Sequence, residues 1–174
     1  MLVKLIYKIN IIFVIYFLNI QNCFADQKLN ECLNAICQQE SSCKPLGCKF
    51  DVNSDSCGYY QIKLPYYNDC GTPGREEGES IDSAWKRCAS DYDCSTKCVE
   101  NYYNRYQGKC SETMNQCEKM SRLHNGGPRG CDKVGTIKYW EGVKGKLEEK
   151  NFEKEEKNFE KEEKNFEKEE KKKN

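Results

Sequence analysis

Twelve of the thirteen cysteines in this 174-residue chain fall between positions 32 and 131: Cys32, Cys37, Cys43, Cys48, Cys57, Cys70, Cys88, Cys94, Cys98, Cys110, Cys117 and Cys131. That density points to a disulfide framework in which several bridges substitute for a large apolar core, and it predicts a small, compact, protease-resistant domain. Six bridges can be drawn in about ten thousand ways, so spacing alone assigns no partners. A zinc site at Cys94-x3-Cys98 is the competing use of such residues, but the chain has a single histidine and extracellular thiols oxidise. No metal or other cofactor is expected.

The two ends of the chain differ from this middle. Residues 1–25 carry two lysines, then the apolar run IIFVIYFLNI, then QNCFA ending in small Ala25 before Asp26, which is the layout of a secretory signal peptide. The run falls short of the roughly 20 residues a membrane span requires. Cleavage after Ala25 removes Cys23 and leaves an even number of cysteines in a chain bound for an oxidising compartment. Residues 151–174 are a different appendage, in which NFEKEEK occurs three times before the chain closes on lysines. One Phe per heptad with no second apolar position makes no coiled-coil seam, although Glu153/Lys157, Glu160/Lys164 and Glu167/Lys171 are spaced for i,i+4 pairing. The tail reads as disordered or marginally helical.

Setting aside the two lysines of the leader and the eight lysines and nine glutamates of the tail leaves 18 basic and 19 acidic residues over 26–150. That balance excludes nucleic acid as a partner and gives no strong attraction to anionic surfaces.

Inside the domain, Leu29, Cys32, Leu33, Ile36, Cys37 and Glu40 follow the spacing of a helical stripe, with Asn30 as its start signal and Pro45 beyond its end. Glu40 therefore occupies an apolar-face position, where partial desolvation disfavours the charged form. At a frayed helix end it would simply point to water. Eleven positions on, FDV, NSDS and CGYYQI read as two short strands around a polar turn. Phe50 and Val52 are expected to face the core and Asp51 a groove or solvent, among Ser54, Asp55 and Ser56. An aspartate capping a turn is the alternative. Two carboxyl groups in settings that pull their proton affinities apart supply an acid and an anion at one pH. Tyr59, Tyr60, Tyr66 and Tyr67 can stack on sugar faces or pack in the core. His124 ends a predicted helix, MNQCEKMSRLH, with Asn125 and Gly126 as its stop.

The stretches CLNAICQQESSC, GCKFDVNSDSCGYYQIKLPYYNDCGTPG, CSTKCVENYYNRY and SRLHNGGPRGC, in this order, resemble the invertebrate-type (i-type, destabilase-like) lysozymes over about Cys32 to Val143. The chain departs from the family in a slightly shorter loop between the two acids, in Phe50, in REEGES after Gly74 and in the heptad tail. The resemblance implies an α+β fold, a helical body with a short antiparallel sheet lining a cleft, over residues 26–150. It implies a secreted glycosidase acting on the β-1,4 bonds of bacterial peptidoglycan (a lysozyme, or N-acetylmuramidase) or on chitooligosaccharides, in digestion or defence. Glu40 would be the acid and Asp51 the nucleophile or stabilising anion, with carboxyl groups about 5 to 5.5 Å apart if the enzyme retains configuration. Ser54, Tyr60, Lys63, His124 and Asn125 are expected along the sugar-binding cleft. The resemblance also implies a second activity, cleavage of γ-glutamyl-lysine isopeptide bonds, for which Ser54, Ser56, Lys63 and His124 match the proposed residues. A sugar-binding module without catalysis is the third reading.

Overall fold

The computed structural model describes residues 16, 20, 21 and 26–173, so the leader expected over residues 1–25 lies almost wholly outside the described residues. Helix α1 covers residues 26–41. Its stripe is the expected one: Cys32, Leu33, Ile36 and Cys37 are buried and Leu29 packs against the core. Asn30 does not start it, because the helix is already formed at Asp26 and Asn30 lies inside its second turn. The helix stops at Ser41. Ser42 and Cys43 take left-handed backbone angles, the Cys43 amide returns to the Cys37 carbonyl at 3.1 Å, and the Ser41 hydroxyl donates to the Tyr59 carbonyl at 2.7 Å.

Three short strands follow, β1 (Lys49–Asp51), β2 (Ser54–Cys57) and β3 (Ile62–Lys63), antiparallel in the order β1-β2-β3. The turn is tighter than expected. Only Val52 and Asn53 lie outside the ladder, both at positive φ, as a two-residue hairpin of matching twist requires. Phe50 and Val52 do not face the core; they are 77% and 78% exposed. A three-residue edge strand has too little area to bury an apolar face, and the hairpin is held instead by Cys48–Cys57 at its base. The sheet meets the helical body at Gly58, where an added Cβ would fall 1.7 Å from the Ala89 carbonyl oxygen.

The body consists of α2 (Leu64–Asp69), α3 (Ile81–Ser90), α4 (Tyr92–Tyr106), α5 (Gln116–Gly126) and α6 (Gly135–Lys173), with short 3-10 turns after α4 and α5. Ser80, Asp91 and Asn115 cap α3, α4 and α5 by accepting the amide three residues on. Helix α5 runs two residues past His124 and is closed by Gly127 at φ 76°. All twelve framework cysteines are paired: Cys32–Cys117, Cys37–Cys43, Cys48–Cys57, Cys70–Cys98, Cys88–Cys94 and Cys110–Cys131. Cys94 and Cys98 thus serve different bridges, and the former ties α3 to α4 while the latter ties α4 to α2. The REEGES segment folds back on α3, where Arg87 donates to Glu79 and to the Gly74 carbonyl.

The heptad repeats continue α6 as a helix to Lys173, with Phe152 and Phe159 exposed. The first part of α6 lies antiparallel to α1. Gln39 covers Gly142, Lys150 donates to Asn34 and Lys154 pairs with Glu31. Among the described residues no helix is long and apolar enough to cross a membrane.

Candidate functional site

Glu40, at the end of α1, and Asp51, at the end of β1, line one cleft of about 790 Å³. Ser56, Gln61, Lys63, Tyr66, Asp69, Tyr102, His124 and Asn125 share its walls. Two segments that are adjacent in sequence but unlike in structure therefore deliver the two acids to one space.

The surroundings of Glu40 are enclosed. Its side chain is 19% exposed, and its Oε1 accepts a 2.6 Å hydrogen bond from the Tyr139 hydroxyl, with His124 Nε2 at 3.4 Å. Burial, reinforced by the Glu40 carboxylate, pushes the Tyr139 phenol well above its ordinary range, so it is a neutral donor at any working pH. His124 is fixed at both nitrogens. Nε2 lies 3.0 Å from the Tyr60 carbonyl, which can only accept, so that nitrogen carries the proton. Nδ1 faces the Tyr66 hydroxyl at 3.2 Å. Burial, with Tyr102 and Glu40 nearby, pushes the Tyr66 phenol well above its ordinary range, so its hydroxyl keeps its proton beside Nδ1. Tyr66 itself stacks on Tyr102 at 3.7 Å between centroids.

Asp51 is open by comparison. Its side chain is 59% exposed, and its partner is Lys63, whose Nζ lies 3.3 Å from Oδ2 and donates to the Asp51 carbonyl at 2.6 Å. The sequence suggested hydroxyl neighbours on the turn. The structure instead supplies an ammonium group from β3, twelve residues away, that clasps both the side chain and the backbone of the hairpin tip.

Of the residues singled out in the sequence, Glu40, Asp51, Ser56, Lys63, Tyr66, His124 and Asn125 come together on the cleft. Ser54 pairs with Asp51 across the turn and is not part of the wall. Tyr60 is fully buried, with its hydroxyl 3.0 Å from that of Thr96, so it supports the site through its carbonyl and offers no face to a sugar. Tyr67 is buried too. Ser56 lies opposite Lys63 in the β2–β3 register. Sequence reasoning missed Tyr139, Tyr102, Asp69 and Gln61. Tyr139 belongs to the stripe Thr136, Tyr139, Trp140, Val143, whose helical spacing signals core packing and conceals a hydroxyl aimed at Glu40.

A six-bridge helical body with a small antiparallel sheet thus presents an enclosed carboxyl group and an open one on a single cleft. The sequence matches the Destabilase family over residues 29–146. Invertebrate-type lysozyme 2 of Caenorhabditis elegans is 62% identical over 114 residues, covering 65% of this chain and 82% of the relative. A lysozyme of Ostrea edulis is 46% identical over 123 residues, covering 70% and 83%. The crystal structure of Tapes japonica lysozyme superposes with a TM-score of 0.56 at 47% identity, covering 65% of this chain and 85% of that one. The chain belongs to the destabilase family.

Proposed function

We propose that this chain is a secreted lysozyme that hydrolyses the β-1,4 glycosidic bonds of bacterial peptidoglycan and of soluble chitooligosaccharides, within a catalytic unit of residues 26–150. Glu40 protonates the departing glycosidic oxygen. Asp51 attacks the anomeric carbon or stabilises its positive charge, and water completes hydrolysis with Glu40 now acting as base. The observation that carries this reading is the contrast on one cleft between a carboxyl group enclosed by Tyr139 and His124 and a carboxylate exposed beside Lys63. Division of labour between two acids follows from such unlike settings. The leader pattern and the bridged cysteines support secretion, and the family match ending at residue 146 supports a unit that stops before the repeats.

The isopeptidase reading needs Lys63 or His124 as a free base for Ser54 or Ser56. Lys63 is engaged by Asp51, and both His124 nitrogens are occupied. The glycosidase reading is therefore the one the geometry favours. The test is turbidity loss of a bacterial wall suspension by the purified protein, beside a γ-glutamyl-lysine amide. Wall lysis that disappears in Glu40→Gln, with the amide left intact, is the expected result. Amide cleavage with no lysis would select the isopeptidase, and activity on neither would leave a sugar-binding module.

A further inference from the structure

We propose that Tyr139, on the C-terminal helix α6, is a positioning residue for the reaction: its hydroxyl occupies Oε1 of Glu40, so that Oε2 is the atom that carries and delivers the proton. The inference rests on the reading of Glu40 as general acid. Tyr139 does not line the cleft, it is partly buried against the core, and its hydroxyl is aimed at Glu40 at 2.6 Å. Thr136, Trp140 and Val143, all buried on the same face of α6, hold the helix that carries it. A donor fixed by a packed helix selects one carboxyl rotamer, and of the two oxygens only the one without a donor is free to bear hydrogen.

The step then balances as follows. The proton leaves Oε2 for the glycosidic oxygen as the bond from that oxygen to the anomeric carbon breaks, and the bonding electron pair departs with the oxygen. An Asp51 oxygen faces the carbon. The new carboxylate charge on Glu40 spreads to Oε1, where the Tyr139 O–H already points, while His124 Nε2, whose N–H is directed at the Tyr60 carbonyl, stands 3.4 Å away. Donors placed where charge develops favour the transfer without reorganising. The titratable and charged groups on the Glu40 cleft or in contact with Glu40 are Tyr66 and Asp69 from α2, Asp51 and Lys63 from the sheet, Tyr102 from α4, His124 from α5 and Tyr139 from α6. Among them only Tyr139 makes a short hydrogen bond to its carboxyl group.

Tyr139→Phe removes the hydroxyl and keeps the ring. A hydrogen bond to a charged group corresponds to about tenfold or more in rate, so kcat on a chitooligosaccharide should fall by at least about tenfold. KM should stay within about twofold, because the residue does not touch substrate. On a dinitrophenyl chitobioside, whose leaving group departs without a proton, kcat/KM should be almost unchanged. Equal losses on both substrates, or no loss on the oligosaccharide, would overturn the inference. Should Tyr139→Phe fold poorly, 3-fluorotyrosine at 139 keeps the shape and alters the donor: a rate change confined to the oligosaccharide supports the assignment, and none overturns it. Glu40→Gln, assayed in parallel, separates the two levels. Retained oligosaccharide cleavage there would sink the general-acid reading itself, whereas an inactive Glu40→Gln beside an unaffected Tyr139→Phe would sink only the role of Tyr139.

Discussion

Glu40 and Asp51 stand eleven residues apart, yet one is built into the helical body and the other hangs on its rim. Glu40 inherits rigidity from α1, whose buried stripe it continues, and its Oε1 meets a fixed donor from α6, Tyr139, with His124 of α5 at 3.4 Å. Asp51 sits at the tip of a three-residue strand with exposed neighbours on both sides, steadied by one lysine. Each has its own short bridge: Cys37–Cys43 closes the turn behind Glu40, and Cys48–Cys57 closes the hairpin that bears Asp51. The difference teaches that a small chain can hold two acids in unlike environments by enclosing one and stapling the other. On the proposed mechanism, solvent access separates their roles.

The largest effect should come from removing either carboxyl. General-acid catalysis contributes about 10²- to 10⁴-fold, so Glu40→Gln should abolish measurable wall lysis with the fold intact. Asp51→Asn should cost nearly as much. An activated aryl glycoside sharpens the contrast: it should rescue the first step in Glu40→Gln, where the proton is missing, and fail in Asp51→Asn, where the anion is. Rescue of both, or of neither, would erase the distinction between them. Glu31 and Asp55 serve as carboxylate controls, and their amides should lose little.

The bridges come next. By the chain-entropy relation, closing loops as short as these contributes roughly 2 to 3 kcal/mol each, so replacing either pair by alanines should lower the thermal midpoint by similar amounts. Activity at a temperature where both variants remain folded should part company. Without Cys48–Cys57, strand β1, exposed at all three positions, has only its ladder to hold it, and lysis should fall sharply; without Cys37–Cys43, α1 still carries Glu40 on its packed stripe and lysis should fall less. Equal activity losses would show that the rim is as well anchored as the body.

What could be read from the sequence follows the same divide. The stripe of α1 was legible, Glu40 included, because its periodicity and its burial coincide. The hairpin was legible as two strands and a turn, but its facing was not. Phe50 and Val52 obey the alternation of a half-buried strand, whereas the strand is too short to bury anything and a bridge does the holding. Contacts made across the fold left no local trace. Lys63 reaches Asp51 only because β3 joins the sheet, and Tyr139 reaches Glu40 from 99 residues away as one aromatic on an apolar stripe. The roles of the two acids came from the family resemblance, and the bridge partners from the fold.

A smaller effect should follow from Lys63→Met, which frees the hairpin tip while leaving Glu40 untouched. Exposed ion pairs contribute about 0 to 1 kcal/mol, so the midpoint should hardly move. Misplacing a reacting group is more costly than losing its pair, and kcat on the oligosaccharide should drop about tenfold. A Lys63→Arg variant, which keeps the charge, should recover part of this. An unchanged rate in Lys63→Met would mean that the bridge alone orients Asp51.

The smallest effect concerns the repeats, which touch the Glu40 side of the molecule far from the cleft. Truncation after Lys150 keeps the Lys150–Asn34 hydrogen bond and removes the Lys154–Glu31 pair. Such a pair contributes about 0.2 to 1 kcal/mol, so the thermal midpoint should fall by little at neutral pH and the rate on a soluble oligosaccharide should stay the same. The sign of the pH dependence is fixed by Glu31. The hydrogen bonds from Lys154 first, and from Gln27 second, hold its carboxyl below the usual carboxylate range. A depressed carboxyl contributes stability above its unfolded value of about 4.3 and loses it as pH falls through the folded value. The small gap in midpoint between full-length and truncated protein should therefore be open at pH 7 and close in acid, and salt should narrow it further. A gap that persists at low pH, or a truncated protein that loses most of its activity on the small substrate, would place the repeats within the catalytic unit and join the tail to the body that holds Glu40.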